Sequence, residues 1–184
     1  MNDNISNPNY YRYHNNTNWQ KNVAGNSMTQ NVLLKITGGD NIATYGLSLG
    51  YLKDAGVIKE TGLSKYNMRF NANLNLSKKL SATANLSYAF VDQNLRETGL
   101  ATEINPLYLS LIKSPFVASN EISDDGQVSP NYADVDIFGF SNPSVAINGV
   151  KATNRNYRFT GSFGLDYEFN KNWNLGTIFG VNFG

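Results

Sequence analysis

The sequence predicts an all-β chain. It is expected to form about six long antiparallel strands of an up-and-down transmembrane β-barrel, with one long extracellular loop. Three observations predict it. The first is alternation. From Tyr66 to Leu76 the residues Tyr66, Met68, Phe70, Ala72, Leu74 and Leu76 alternate with Asn67, Arg69, Asn71, Asn73 and Asn75. Successive strand side chains point to opposite faces, so one face is apolar and the other carries amides and a guanidinium. Chance gives such a run roughly once in a thousand, and five further runs repeat it. The second observation is strand length. Ordinary strands hold about 5–6 residues, whereas an eleven-residue run reaches roughly 36 Å. Tilted by about 45°, it covers some 25 Å, the height of a membrane barrel's apolar band. The third is the rhythm of the connections, which read short (38–42), medium (53–64), short (77–79), long (91–156) and short (170–172). Membrane barrels alternate tight periplasmic turns with larger external loops.

Residues 1–28 read as a loop and lead-in to the barrel. The first strand, 29–37, puts Val32, Leu34 and Ile36 on one side. Gly38-Gly39-Asp40-Asn41 is a turn, since Gly and Asn tolerate positive φ. In the second strand, 43–52, Tyr45, Leu47, Leu49 and Tyr51 oppose Thr44, Gly46, Ser48 and Gly50. The third and fourth strands, 65–76 and 80–90, are joined by Ser77-Lys78-Lys79, and Leu80 to Phe90 alternates throughout. Residues 91–156 read as one long extracellular loop in which Asn105-Pro106, Ser114-Pro115 and Asn142-Pro143 mark turns. Within it Leu107 to Ile112 is a short helix or strand. The fifth strand, 157–169, and the sixth, 173–183, flank Asn170-Lys171-Asn172, and Thr177 and Ile178 break the last alternation.

The 184 residues carry a formal charge of +1 with no basic block, which gives no reason to expect nucleic acid. Without cysteine there is neither a disulfide framework nor a thiolate metal site. Mean hydropathy is −0.38. Alternating strands hide membrane exposure from such averages, because a polar residue follows each lipid-facing one. The chain is expected to be a fragment. MNDNISNPNYYRYHNN lacks the basic-then-apolar layout of a secretory signal, and GTIFGVNFG stops within an alternating run. With short turns periplasmic, the external ends of the apolar faces carry Tyr51, Tyr66, Tyr88, Phe90 and Tyr157. The periplasmic ends carry Tyr45, Tyr167, Phe169 and Trp173. These form two aromatic girdles facing outer-membrane lipid. Asn67, Arg69, Asn71, Asn73, Asn75, Arg158, Asp166 and Glu168 then face the lumen.

Chemical sites are sparse. His14, the single histidine, has no ligand partners at metal spacing. Asp124-Asp125-Gly126 and Asp134-x-Asp136 fit no calcium loop and read as acidic turns. Asp166 and Glu168 beside Arg158 resemble an acid–base pair but lack a nucleophile, so they read as lumen lining. No catalytic residue, metal or cofactor is expected. In the loop, Tyr108, Tyr132 and Phe138, with Asn120 and Asn131, are candidates for contact with substrate or partner, since long structured loops are usually functional. A soluble structural or adhesive β-protein is the competing class, with the apolar face packed on a second sheet.

The order NNTNWQ, TQN with an alternating strand, TGGDN, then TYGLSLGYLKDAGVIKETGLSKYNMRFNANL resembles the SusC/RagA family of TonB-dependent outer-membrane transporters of the Bacteroidetes. The likeness is densest from Asn16 to about Tyr88. It implies a barrel of about 22 strands with an N-terminal plug domain. It also implies energy delivered by TonB, a SusD-like lipoprotein lid, and a glycan or peptide cargo. A TonB-dependent siderophore or cobalamin receptor is the alternative within transport. Six strands fall short of the roughly 8 that close the smallest membrane barrel, so this chain would contribute wall and loops.

Overall fold

The computed structural model describes residues 4–96, 101–133, 135–149 and 151–184; Asp134 of the expected acidic pair lies outside them. The chain forms two compact units. One consists of Thr29–Asp54, Leu63–Gln93 and Asn154–Gly184, and the other of Met1–Met28, Ala55–Gly62 and Asn94–Thr153.

The first unit is a six-stranded sheet. Its strands are β1 (Thr29–Gly39), β2 (Ala43–Ala55), β3 (Gly62–Asn75), β4 (Leu80–Leu95), β7 (Ala152–Asn170) and β8 (Trp173–Phe183). The order β1-β2-β3-β4-β7-β8 follows the chain, which is an up-and-down meander. Several strands outrun the expected segments: β4 continues to Leu95, and β7 begins at Ala152. Hydropathic alternation ends where the apolar band ends, but ladder hydrogen bonds need no apolar side chains and continue past it. The β1–β2 turn is held by the Asp40 carboxylate, which accepts from the Ile42 and Ala43 amides at 2.8 Å each. At φ +146, Gly39 runs so close to the Ala43 carbonyl that a Cβ would lie 2.3 Å from its oxygen, so only glycine fits.

The second unit contains α1 (Tyr10–Tyr13), α2 (Trp19–Val23), α3 (Pro106–Ile112), α4 (Pro143–Gly149) and a hairpin of β5 (Asn120–Ile122) and β6 (Val128–Tyr132). The expected lead-in 1–28 and much of the expected loop 91–156 belong to this unit. Residues on either side of 29–93 fold together around Trp19, Val23, Leu109, Val117 and Ile147. Each Asn-Pro pair expected as a turn starts a helix instead. The Asn105 side chain accepts from the Tyr108 amide at 3.0 Å with Pro106 at the first helical position. The Asn142 side chain likewise accepts from Ser144 at 3.0 Å, ahead of α4. In NNTNWQ, Asn18 caps α2 through the Lys21 amide at 3.0 Å, and Trp19 enters the core at 3% exposure. None of the described helices is long and apolar enough to cross a membrane, which says nothing of strands.

Candidate functional site

The sheet has one apolar and one polar face. Residues opposite one another in an antiparallel ladder share a face. On β1 and β2, Val32 pairs with Tyr51, Leu34 with Leu49, and Ile36 with Leu47. On β7 and β8, Phe159 pairs with Phe183, Phe163 with Phe179, and Tyr167 with Leu175. This face stays uncovered: Leu34 is 51% exposed and Phe179 68%. Leu165 sits opposite Thr177, and Gly164 opposite Ile178. One lapse on each face follows, and Ile178 is 81% exposed on the polar side.

Aromatic rings collect toward both ends of the apolar face. Tyr51 and Tyr66 lie 5.0 Å apart, and Tyr66 and Phe90 6.1 Å, a row across β2, β3 and β4. Tyr88 lines a shallow groove beside them with Val32 and Met68. Tyr157 is exposed on β7. Toward the tight turns, Tyr167 meets Phe169 edge-to-face at 4.7 Å, and Trp173 stands exposed. Tyr45 covers Gly38, where a Cβ would lie 2.6 Å from the phenol oxygen.

On the polar face the amides bridge strands. Asn73 donates to Thr44 Oγ1 at 3.4 Å, and Asn75 to the Asn41 carbonyl at 2.9 Å. Asn67 lies across from Gly50, where a Cβ would sit 3.6 Å from its own Cβ. Arg69, Asn71 and Arg158 are exposed. Asp166 faces Gly176 and Glu168 faces Asn174.

The loop unit is organised by a buried ion pair that sequence reading missed. Lys113 Nζ lies 3.1 Å from Asp136 Oδ2, and both side chains are 0% exposed. That contact is the only partner of this carboxylate oxygen among the described residues. The ammonium also donates to the Phe140 carbonyl at 2.7 Å and sits 5.4 Å from the Trp19 ring centroid. The other carboxylate oxygen accepts from the Phe138 and Phe140 amides at 2.9 and 3.0 Å. Asp136 thus sits in the turn expected for it, with the Gly139 amide donating to its carbonyl at 2.9 Å, and its carboxylate is buried against Lys113. The Asn142 amide donates to the carbonyls of Ser119 and Ala133 at 2.8 and 3.1 Å. Segment 118–140 is thus built into the unit. No single sequence signal marks Lys113 or Asp136.

The five loop candidates do not gather at one point. Asn120 spends its amide on the Ser129 and Pro130 carbonyls at 3.2 and 3.4 Å, and Asn131 donates to Glu121 at 3.2 Å. Phe138 packs edge-on to Phe116 at 6.4 Å. Tyr108 is exposed on α3. Tyr132 lines a recess with Asn22, Glu60, Asn120 and Asn148. His14 stacks on Tyr10 at 4.0 Å, its Nδ1 2.8 Å from the Tyr10 carbonyl. At the Asp124-Asp125-Gly126 turn, Gly126 takes φ +85. Asp125 is held below the ordinary carboxylate range, first by the Ser123 hydroxyl and then by the Gln127 amide. Asp40 is lowered too, first by the Ala43 amide and then by that of Ile42.

A long antiparallel meander with one uncovered apolar face, one polar face and tight turns at alternate connections is a segment of membrane β-barrel wall. The likeness to TonB-dependent transporters runs along most of the chain. TonB-dependent receptor P26 of Formosa agariphila is 28% identical over 172 residues, which is 91% of this chain and 16% of that protein. A chain in the structure of the RagAB peptide transporter superposes with a TM-score of 0.67 at 17% identity, over 91% of this chain and 19% of that one. The RagAB peptide importer in its open-open state gives 0.68 at 18%, over 90% and 18%. No protein-family model matches the chain. The chain spans less than a fifth of the length of these relatives.

Proposed function

We propose that this chain is part of the barrel wall of an outer-membrane, TonB-dependent nutrient importer of the SusC/RagA kind. The observation that supports it best is the uncovered apolar face, which runs through consecutive strands and is rimmed by aromatics at both ends. In water such a face drives aggregation; against lipid tails it needs no cover. Tyr45, Tyr51, Tyr66, Tyr88, Phe90, Tyr157, Tyr167, Phe169 and Trp173 then touch lipid and headgroups. Asn67, Arg69, Asn71, Asn73, Asn75, Arg158, Asp166 and Glu168 line the lumen, against a plug domain or water. In the complete protein a SusD-like lipoprotein presents glycan or peptide, and TonB supplies the energy.

The wall's chemistry is too uniform to select a nutrient, which leaves selection to the loops. The test uses cells that produce the complete protein. It should fractionate with the outer membrane and migrate as a heat-modifiable band, and its deletion or the loss of TonB should stop growth on the cognate nutrient. Recovery from the aqueous fraction as a monomer, or growth indifferent to both losses, refutes the reading.

A further inference from the structure

We infer that Lys35, Ser48 and Arg69 form an oxyanion site on the polar face of the sheet, which in the complete barrel grips a carboxylate or sulfate group carried by the solute.

The register builds the site. Lys35 is paired with Ser48 across β1 and β2. Across β2 and β3, a Cβ on Gly50 would lie 3.6 Å from that of Asn67, and Asn73 donates to Thr44 Oγ1 at 3.4 Å. Both contacts belong to a register in which Arg69 stands opposite Ser48. The three residues thus share one row, and strands about 4.8 Å apart put Lys35 and Arg69 roughly 10 Å from each other. Between them the polar side of β2 reads Gly46, Ser48, Gly50. The two glycines leave a trough with a hydroxyl on its floor and a cation on each wall. Arginine offers a fork that matches an oxyanion, lysine a mobile point charge and serine an O–H donor.

Charge accounting points to a ligand. Lys35 and Arg69 are exposed, and neither makes a hydrogen bond or ion pair among the described residues. By contrast, Lys59, Lys79 and Arg96 each hold a carbonyl, and Arg155 holds Asp92. Neither β1 nor β3 contains an acidic residue. The acid of β2, Asp54, stands six residues beyond Ser48, roughly 20 Å along the strand, and accepts from the Thr29 hydroxyl. That distance exceeds two Debye lengths of about 8 Å. Asp166 and Glu168 lie on β7, with β4 between it and β3. Ordinary surfaces intersperse the two signs, whereas unpaired cations along a confined lumen concentrate anions there. A neutral sugar or a peptide amide gives these charges nothing to neutralise. The loops choose the nutrient; this row sorts solutes by the sign of their charge, whatever backbone carries it.

This deepens the import reading and rests on it. The test measures binding of hexaglutamate and of a sulfated dextran oligomer to the purified full-length protein in detergent, with an uncharged dextran oligomer alongside. At least one anion should bind, more tightly than the uncharged oligomer. Lys35→Gln combined with Arg69→Gln should weaken that binding about tenfold, the sum of two exposed charge contacts. Ser48→Leu, which fills the trough and keeps both charges, should weaken it as well, and it decides alone if the first variant lacks the heat-modifiable band. Lys78→Gln with Lys171→Gln, at the tight turns, should leave binding unchanged. Wild-type affinity in an assembled row variant, equal loss in the tight-turn variant, or no preference for the anions overturns the site. Silent anions together with a plug that turns trypsin-sensitive in the Lys35 and Arg69 variant would assign the row to an acidic plug segment instead. Binding is read without TonB, so a protein that binds the anions yet supports no growth counts against the import reading alone.

Discussion

Phe70 and Asn71 are neighbours on β3 and test the two faces at one depth. Phe70 stands five residues before the end of the strand at Asn75. At about 3.4 Å per residue and a tilt of about 45°, that places it roughly 12 Å from the edge at the tight turn, the middle of an apolar band about 25 Å tall. Asn71 lies roughly 2 Å shallower by the same arithmetic. Phe70 shares its face with Tyr66 and Met68, and Asn71 points the other way with Asn67 and Asn73. Arginine near the midplane on the lipid side costs about 2–4 kcal/mol, a factor of roughly 30 to 1,000 in the folded population. Phe70→Arg in the complete protein should therefore deplete the heat-modifiable band and lower the urea midpoint in vesicles. Asn71→Arg, solvated in the lumen, should cost no more than the ordinary surface change of about 0.5 kcal/mol. Equal losses for both variants would refute the assignment of faces, because strand and introduced side chain are the same and the depths differ by only roughly 2 Å.

Asp136→Ala should destabilise the loop unit by about 3–5 kcal/mol by leaving Lys113 charged and unpaired. The paired change Lys113→Met with Asp136→Leu should be far milder, and trypsin resistance of the loops in an intact barrel measures both. Cysteines placed at Asp124 or Ser129 should react with an impermeant label on intact cells, and those at Lys78 or Asn172 should not; the reverse pattern would invert the topology. Asp40 titrates below the ordinary carboxylate range because it accepts amides at the β1–β2 turn. Its contribution is therefore present above about pH 4 and lost as pH falls through the lowered value. Hydrogen exchange at Ile42 and Ala43 should accelerate only on that acid side, and Asp40→Asn should remove the pH dependence.

The wall was legible because period two is local. Each strand shows its two faces in its own ten or so residues, and the register that pairs Leu34 with Leu49 follows from the tight turn between the last pair, Gly39 and Thr44. The aromatics of the apolar face were grouped there by counting alone. The strand ends were less legible, since β4 and β7 continue beyond their apolar stretches and nothing hydropathic marks where a ladder stops. The loop unit was hardest to see. Its helices hold four to seven residues, too few for a helical period to show.

By itself, then, the amino-acid order determined an alternating meander with a lipid-type face and a polar face, because those properties are written in neighbouring residues. Tertiary structure alone decided that 1–28, 55–62 and 94–153 form one unit. It also decided that Asp136 is a buried partner of Lys113 and that Glu60 opens onto a recess with Tyr132 and Asn148. The physical reason is separation along the chain. The Trp19 indole N–H reaches the Ser114 carbonyl across 95 residues at 2.8 Å, and the Thr17 hydroxyl reaches the Val117 carbonyl across 100 at 2.7 Å. Contacts of that range are set by packing and by the need to satisfy buried polar groups, which no local pattern records.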